Sequence, residues 1–145
     1  MTLPAGIATA LIFLWLGMVS AISFVEAPLK FRAPGVTLPI GLGIGRLVFR
    51  ALNGIEAVLA IVIAVALVTA GPGRVVLIAF AVAAAALAVQ LLAVRPALTK
   101  RSDAVLAAGP DAEKLPRSQA HFVYVGLELV KVIALITVGT VLLAG

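Results

Sequence analysis

Four long runs of apolar residues, each about as long as a bilayer requires, dominate the chain. They cover approximately residues 3–25, 51–70, 75–94 and 120–143. Apolar and polar residues do not alternate within these runs, as the strands of a membrane barrel would require, so the spanning elements are predicted to be helices. The pattern predicts an all-α membrane protein, a four-transmembrane-helix antiparallel bundle built as a single domain from residues 1–145.

The ends of span one are marked by residues that start and stop helices. Thr2 and Pro4 are typical of a helix start, because a hydroxyl caps the first turn and a proline there loses no hydrogen bond. Glu26 and Pro28 are expected to end the span. After a proline-rich connector, the next helix is predicted to begin near Thr37.

The later elements follow from the same signals. The chain reads as helix over residues 40–70, and Gly71-Pro72-Gly73 predicts a tight turn that makes spans two and three an antiparallel hairpin. Arg95-Pro96 is expected to close span three, and residues 97–108 to form a short amphipathic surface helix between spans three and four. Ser118 is a predicted N-cap for span four.

Composition narrows the class of protein. Hydrophobic residues make up 63% of the chain and charged residues 12%, far from the soluble average of roughly 45–50% and 25%. There are no cysteines, so disulfides and thiolate metal sites are excluded. No cofactor, metal site or catalytic set is predicted. The net charge of +5 sits in loops beside apolar spans, which argues for membrane orientation rather than for nucleic-acid binding.

The basic residues are distributed unequally between the two sides of the membrane. Of 11 Lys and Arg residues, only Arg74 lies in the short turn and only Lys131 lies inside a span. The positive-inside rule therefore predicts that the long connectors are cytoplasmic and that both termini are outside. The remaining nine lie in or beside these connectors: Lys30, Arg32, Arg46, Arg50, Arg95, Lys100, Arg101, Lys114 and Arg117.

Span four carries a stripe of polar residues. His121, Tyr124, Glu128 and Lys131 follow one another at separations of three, four and three residues, so they share one face of a helix. An ionisable residue in a span costs at least about 2.5 kcal/mol on insertion scales and almost always faces protein or water. The stripe is therefore predicted to face the interior of the bundle.

Span two carries a matching stripe formed by Arg46, Arg50, Asn53 and Glu56. Glu56 is expected roughly 9 Å beyond Arg50, and Glu128 roughly 10 Å beyond His121, so the two carboxyls are expected at similar depth. Spans one and three add polar groups to the same membrane half: Glu26, Lys30, Gln90 and Arg95.

Together these residues predict a cytoplasm-facing polar pocket. Its cations outnumber its carboxylates, which favours a small anionic or protonatable solute, or an anionic head group, as the ligand. Lys100 and Asp103 on the surface connector are expected to lie outside the site. His121, the single histidine, is interpreted as an interfacial side chain or a proton carrier rather than a metal ligand, since metal sites need several converging ligands.

Three functional interpretations stay open at this point. The first is a non-enzymatic binder or transporter. The second is a membrane enzyme for a lipid-soluble substrate, with His121, Glu128 and Glu56 as acid/base candidates and Tyr124 as a hydrogen-bond donor. The third is an accessory or assembly subunit with a structural polar seam. A solvent-filled stripe would favour the first two, and a dry, fully paired stripe the third.

The balance of buried charge gives a further expectation. Lys131 needs a carboxylate, and Glu128 lies one turn away on the same helix. Because one lysine does not neutralise two ionised carboxylates, Glu56 is predicted to be protonated or paired with Arg50.

Smaller signals are interpreted as packing. Gly41 and Gly45 form a small-residue packing face, and Trp15 is expected to pack. Ser20 and Ser23 are expected to bond carbonyls of their own helix. The Ala- and Gly-rich faces of spans three and four predict a homo-oligomer.

The chain resembles small uncharacterised bacterial four-span integral membrane proteins over most of its length. This resemblance implies a bacterial inner-membrane location and no established activity. Trp15-x-Gly17, with Phe24, Pro28 and Phe31, is similar more distantly to copper-resistance-D-like membrane domains. The nearer resemblance is carried by Ser23-Phe24-Val25-Glu26-Ala27-Pro28-Leu29-Lys30-Phe31, Gly45-Arg46-Leu47-Val48-Phe49, Asn53, Glu56, Ser118, His121, Tyr124, Glu128 and Lys131.

Overall fold

The computed structural model describes residues 1–115 and 119–145, without the side chains of 112–114. Over these residues the chain is helical and contains no strand. Four helical runs are long and apolar enough to cross a membrane: Leu3–Arg32, Leu38–Ala70, Arg74–Asp111 and Gln119–Ala144. The predicted all-α bundle of four apolar helices is confirmed.

The first run starts as predicted and ends later. Thr2 caps α1 (Leu3–Val19), its hydroxyl accepting a hydrogen bond from the Ala5 amide at 3.3 Å. The run then continues through a π-helical segment (Ser20–Glu26), the single turn α2 (Ala27–Leu29) and a 3₁₀ turn (Lys30–Arg32). The predicted end at Glu26 and Pro28 is wrong, because Pro28 stands in the first turn of α2, where a missing amide hydrogen is tolerated.

The second run begins and ends as the sequence predicts. Thr37 caps α3 (Leu38–Ala70) by accepting from the Ile40 amide at 3.4 Å. Gly71 ends the helix with φ of +63°, a left-handed conformation that glycine adopts without a steric penalty. The next helix, α4 (Arg74–Val89), starts three residues on, so the predicted hairpin between spans two and three is confirmed.

The third run also passes the expected break. A second π-helical segment (Gln90–Val94) connects α4 directly to α5 (Arg95–Ala108), so Arg95-Pro96 does not close the helix. As in the first run, the proline stands in the first turn after a π segment, where its missing amide is harmless. The predicted surface helix is α5, which packs against α3 and buries Ser102 and Val105. The predicted cap Ser118 lies outside the described residues, and α6 comprises Gln119–Ala144.

Within the bundle, α1 packs against α3 and α6, and α4 packs against α6. The core is formed by apolar side chains such as Ile12, Trp15, Ile63 and Leu135. Many other large apolar side chains point outward, as expected for helices whose solvent is lipid. The bundle has one end where α2, α5 and the start of α6 meet, called the basic end below because the long connectors and their charges lie there.

Candidate functional site

Lys131 lies at the centre of a buried polar cluster. Its side chain is 0% exposed, and its Nζ atom lies 2.5 Å from Oε1 of Glu56 and 2.5 Å from Oε1 of Glu128. The third ammonium hydrogen is directed to Oε1 of Gln90 at 2.8 Å. An ammonium group has three donors, so Lys131 is fully satisfied without water.

The two carboxylates are also fully bonded. Glu56 Oε1 accepts a hydrogen bond from Trp15 Nε1 at 2.8 Å, in addition to the lysine. Glu128 Oε1 accepts from Gln90 Nε2 at 2.9 Å, and its Oε2 accepts from the Ser23 hydroxyl. Burial of an ion pair is tolerated only when such additional bonds satisfy the remaining atoms, and this cluster meets that condition.

Asn53 connects the cluster to the basic end. Its amide is fully satisfied with Nδ2 donating to Glu56 Oε2 at 2.8 Å and Oδ1 accepting from Arg95 at 2.9 Å. In this orientation Nδ2 also lies 3.2 Å from the hydroxyl of Tyr124. A continuous chain of hydrogen bonds therefore runs from Arg95 through Asn53 and Glu56 to Lys131.

The two π segments supply two donors of the cluster. Ser23 lies in the first and Gln90 begins the second. A π turn holds one more residue than an α turn, so it rotates the side chains that follow relative to the preceding helix. Both donors thus reach α6 from helices whose remaining faces are apolar.

A cavity of about 650 Å³ lies beside this cluster at the basic end. Its volume falls within the range of roughly 300–1,000 Å³ that is typical of small-molecule sites. Among the side chains that the structure describes, the charged ones that line it are all basic: Lys30, Arg46, Arg95 and Arg101. His121 and Tyr124 also line it, together with the aromatic rings of Phe24, Phe31, Phe49 and Phe122.

The basic residues of the cavity differ in how they are neutralised. Arg46 pairs with Asp103 at 2.6 Å, and Lys30 lies 3.7 Å from Glu26 and over the rings of Phe31 and Phe49. Arg95 is held by the neutral Asn53 amide. In the part of the chain that the structure describes, Arg101 has no hydrogen-bond or ion-pair partner.

Next to Arg101, Ser102 lines the same cavity. Its side chain is only 8% exposed, and its hydroxyl has no hydrogen-bond partner among residues 1–115 and 119–145. A buried hydroxyl without a partner carries a cost of about 1–3 kcal/mol that a bound polar ligand would relieve. This hydroxyl and the guanidinium of Arg101 both belong to α5. Among the described residues, the α5 side of the cavity therefore carries the hydrogen-bonding groups that most lack partners.

The residues predicted from sequence separate into two connected groups. Asn53, Glu56, Gln90, Glu128 and Lys131 form the dry cluster, at the common depth expected for the two glutamates. Lys30, Arg46, Arg95, His121 and Tyr124 line the cavity. Tyr124 belongs to both, since its hydroxyl contacts Asn53 and its ring lines the cavity.

Some geometric expectations are corrected. Arg50 does not pair with Glu56, because it is exposed and lines a separate shallow groove with Gly54 and Val58. Lys131 does not favour the near glutamate, because it lies equally close to both. Glu26 is half-buried beside Lys30 and does not line the cavity. The protonation state predicted for Glu56 stays a prediction.

Several contacts in the structure were not predicted from the sequence. Trp15 and Ser23 were expected to pack or to bond their own helix, yet both donate to a buried carboxylate. Asp103 was expected to lie outside the site, yet it pairs with the cavity residue Arg46. Arg101 was counted only as a loop charge. A buried tryptophan needs a partner for its N–H group, which was the one available signal for Trp15.

Comparison of the chain with protein-family models, with curated proteins and with solved structures gives no match. The fold itself defines the class: four long apolar helices around a buried polar cluster are those of a multi-pass membrane protein. Within the described ranges, no group of three or more His, Cys, Asp or Glu side chains is arranged to hold a metal ion.

Proposed function

We propose that this membrane protein binds or transports a small anionic solute, which occupies the basic cavity from the cytoplasmic side. The observation that carries the proposal is the sign of the cavity lining: four basic side chains and, among the side chains that the structure describes, no carboxylate. Cations enclosed with few counter-charges attract an anion more strongly than they would in water, because the surrounding apolar walls lower the local dielectric.

The α5 wall provides the contacts for such an anion. Arg101 and Ser102 lie on the same helix, and neither the N–H donors of Arg101 nor the hydroxyl of Ser102 has a partner within residues 1–115 and 119–145 as described. Planar guanidinium groups match carboxylate and phosphate oxygens in a bidentate geometry. The cytoplasmic orientation of this site is supported by the nine basic residues beside the two long connectors.

A second candidate function is supported by the dry cluster. Lys131 and Gln90 use every hydrogen-bonding group that they have, which is the condition set above for a structural polar seam. An accessory subunit would need the cluster for a defined bundle and would have no ligand in the cavity. The two candidates therefore differ in whether the cavity binds an anion.

The test is ligand-dependent thermal stability in a non-ionic detergent, with inorganic phosphate, glycerol 3-phosphate and small carboxylates as probes. At least one anion is expected to raise the melting temperature of the wild-type protein in a saturable way. Arg101→Gln should abolish the shift, whereas Lys100→Gln, an exposed neighbour that does not line the cavity, should retain it. No saturable shift with any anion, or equal loss in both variants, would favour the accessory subunit.

A further inference from the structure

The lining of the cavity is of two chemical kinds. Its basic side chains come from the end of the first run, α3 and α5, and are Lys30, Arg46, Arg95 and Arg101. Most of the other lining side chains are apolar, and those contributed by the first run and α6, here called the apolar wall, include Phe24, Ala27, Pro28, Phe122 and Val125. A site for a compact hydrated anion would be polar throughout, whereas this one joins a group of cations to a largely apolar lining.

The apolar wall lies along a seam between the first run and α6. The hydrogen bond from Ser23 to Glu128 closes the seam towards the membrane interior. On the basic side of that bond the seam is lined by Phe24 and Phe122, which are 37% and 61% exposed. These two rings line the cavity and are also partly open to the surroundings of the bundle.

The depth of the seam places it beside lipid. From Leu3 to Phe24 the first run rises roughly 30 Å, which is about the thickness of the hydrocarbon core. Phe24 and Phe122 therefore lie near the boundary between acyl chains and head groups, and Lys30 and Arg101 lie at the head-group side of it. A molecule at this boundary would have its charged end among the basic side chains and its apolar end beside the two rings.

From this arrangement we infer that the ligand is an anionic amphiphile. Its charged head, a phosphate or carboxylate, binds Arg101, Ser102 and Arg95, and its apolar chain leaves the cavity between Phe24 and Phe122 into the bilayer. The inference rests on the proposed function, since it gives the class of anion that the same cavity takes.

The test compares three probes in titrations that follow thermal stability in a non-ionic detergent. Lysophosphatidate has both head and chain, glycerol 3-phosphate has the head alone, and monoacylglycerol of the same chain length has the chain and an uncharged head. Lysophosphatidate is expected to bind at least about tenfold more tightly than either of the others. Burial of a few methylene groups suffices for that factor over glycerol 3-phosphate, and a charged hydrogen bond suffices for it over monoacylglycerol.

Two matched pairs of variants locate the head and the chain. Arg101→Gln should weaken lysophosphatidate binding while Lys100→Gln does not. Phe122→Ala should weaken lysophosphatidate but not glycerol 3-phosphate, whereas Val123→Ala, at an exposed neighbour that does not line the cavity, should change neither. All four positions are outside the buried core, so the variants are expected to fold.

Each contrary outcome has a separate meaning. Glycerol 3-phosphate binding as tightly as lysophosphatidate would overturn the amphiphile and leave the proposed anion site in place. Monoacylglycerol binding as tightly as lysophosphatidate would overturn both, because the charge would then have no role. If none of the three probes binds saturably, the amphiphile inference is also wrong. The titrations with the other anions then decide the proposed function.

Discussion

The Nζ atom of Lys131 on α6 lies 2.5 Å from Oε1 of Glu56 on α3, and this contact joins two helices that share little packed surface. The ion pair is completely buried, so its cost of desolvation is large and the bonds from Trp15, Gln90 and Asn53 are needed to offset it. The cluster thereby specifies how four otherwise apolar helices are arranged.

The first prediction concerns this cluster. Lys131→Met should lower the free energy of unfolding by roughly 3–5 kcal/mol, because two carboxylates are left in a dry site without their cation. Adding either Glu56→Gln or Glu128→Gln should recover part of the loss, with a coupling of about 0.5–3 kcal/mol in each case. Lys131 is equally close to both, so the two couplings should be similar.

The measurement is a double-mutant cycle of unfolding in detergent, with Lys100→Met as the surface control. Strictly additive changes would show that the ion pairs are not formed. Coupling to Glu128 alone would show that the near glutamate is the real partner.

The stripes on spans two and four could be predicted from sequence because helical periodicity is a local property. The spacing of Glu128 and Lys131 alone places them on one face of the helix. Because a charge that faces lipid is costly, this face is expected to point into the bundle. The choice of partner could not be predicted, because it depends on how α3 and α6 approach each other across the bundle. Helical spacing also grouped Arg50 with the stripe, although it is exposed and lines a separate groove rather than the cavity.

The π segments could not be predicted from the sequence, for a different reason. A proline normally indicates a helix end, and Pro28 and Pro96 were interpreted in that way. Here each helix continues, because the π segment before the proline makes its missing amide hydrogen harmless. The placement of Ser23 and Gln90, and the approach of α5 that brings Ser102 to the cavity, both depend on that continuation.

The second prediction concerns the wall formed by Phe31. A Cβ atom added at Gly41 would overlap the Phe31 ring, so Gly41→Ala should displace the ring and lower the melting temperature. At Gly43 a Cβ atom meets nothing within 4 Å, so Gly43→Ala should be neutral or stabilising by up to about 1 kcal/mol. Thermal unfolding of the two variants checks this pair, and equal effects would contradict the packing of Phe31 on α3.

The third prediction concerns topology. A cysteine at Ala104 on α5 should react with an impermeant thiol reagent only after the cell membrane is opened, and a cysteine at Gly145 should react in intact cells. The chain has no native cysteine, so each variant reports one position. The reverse labelling pattern would place the basic cavity on the external face.

The fourth prediction concerns the rim of the cavity. Asp103→Asn should tighten anion binding several-fold, because it removes the carboxylate that neutralises Arg46. The same change should alter stability by no more than about 1 kcal/mol, since the pair is partly exposed. Arg46→Gln should weaken binding less than Arg101→Gln, which removes a cation without a carboxylate partner among the described side chains. A looser complex in Asp103→Asn would show that Arg46 does not face the ligand.

The central claim is that the basic cavity binds the charged head of an anionic amphiphile, and equilibrium binding of labelled lysophosphatidate to the protein in lipid nanodiscs tests it most directly. We expect one saturable site. Its dissociation constant should rise by roughly 10-fold or more in Arg101→Gln, the value expected for loss of a charged hydrogen bond. The dissociation constant should be unchanged in Lys100→Gln. The same dissociation constant in the wild type and both variants, or no saturable binding in any of the three proteins, would contradict the claim.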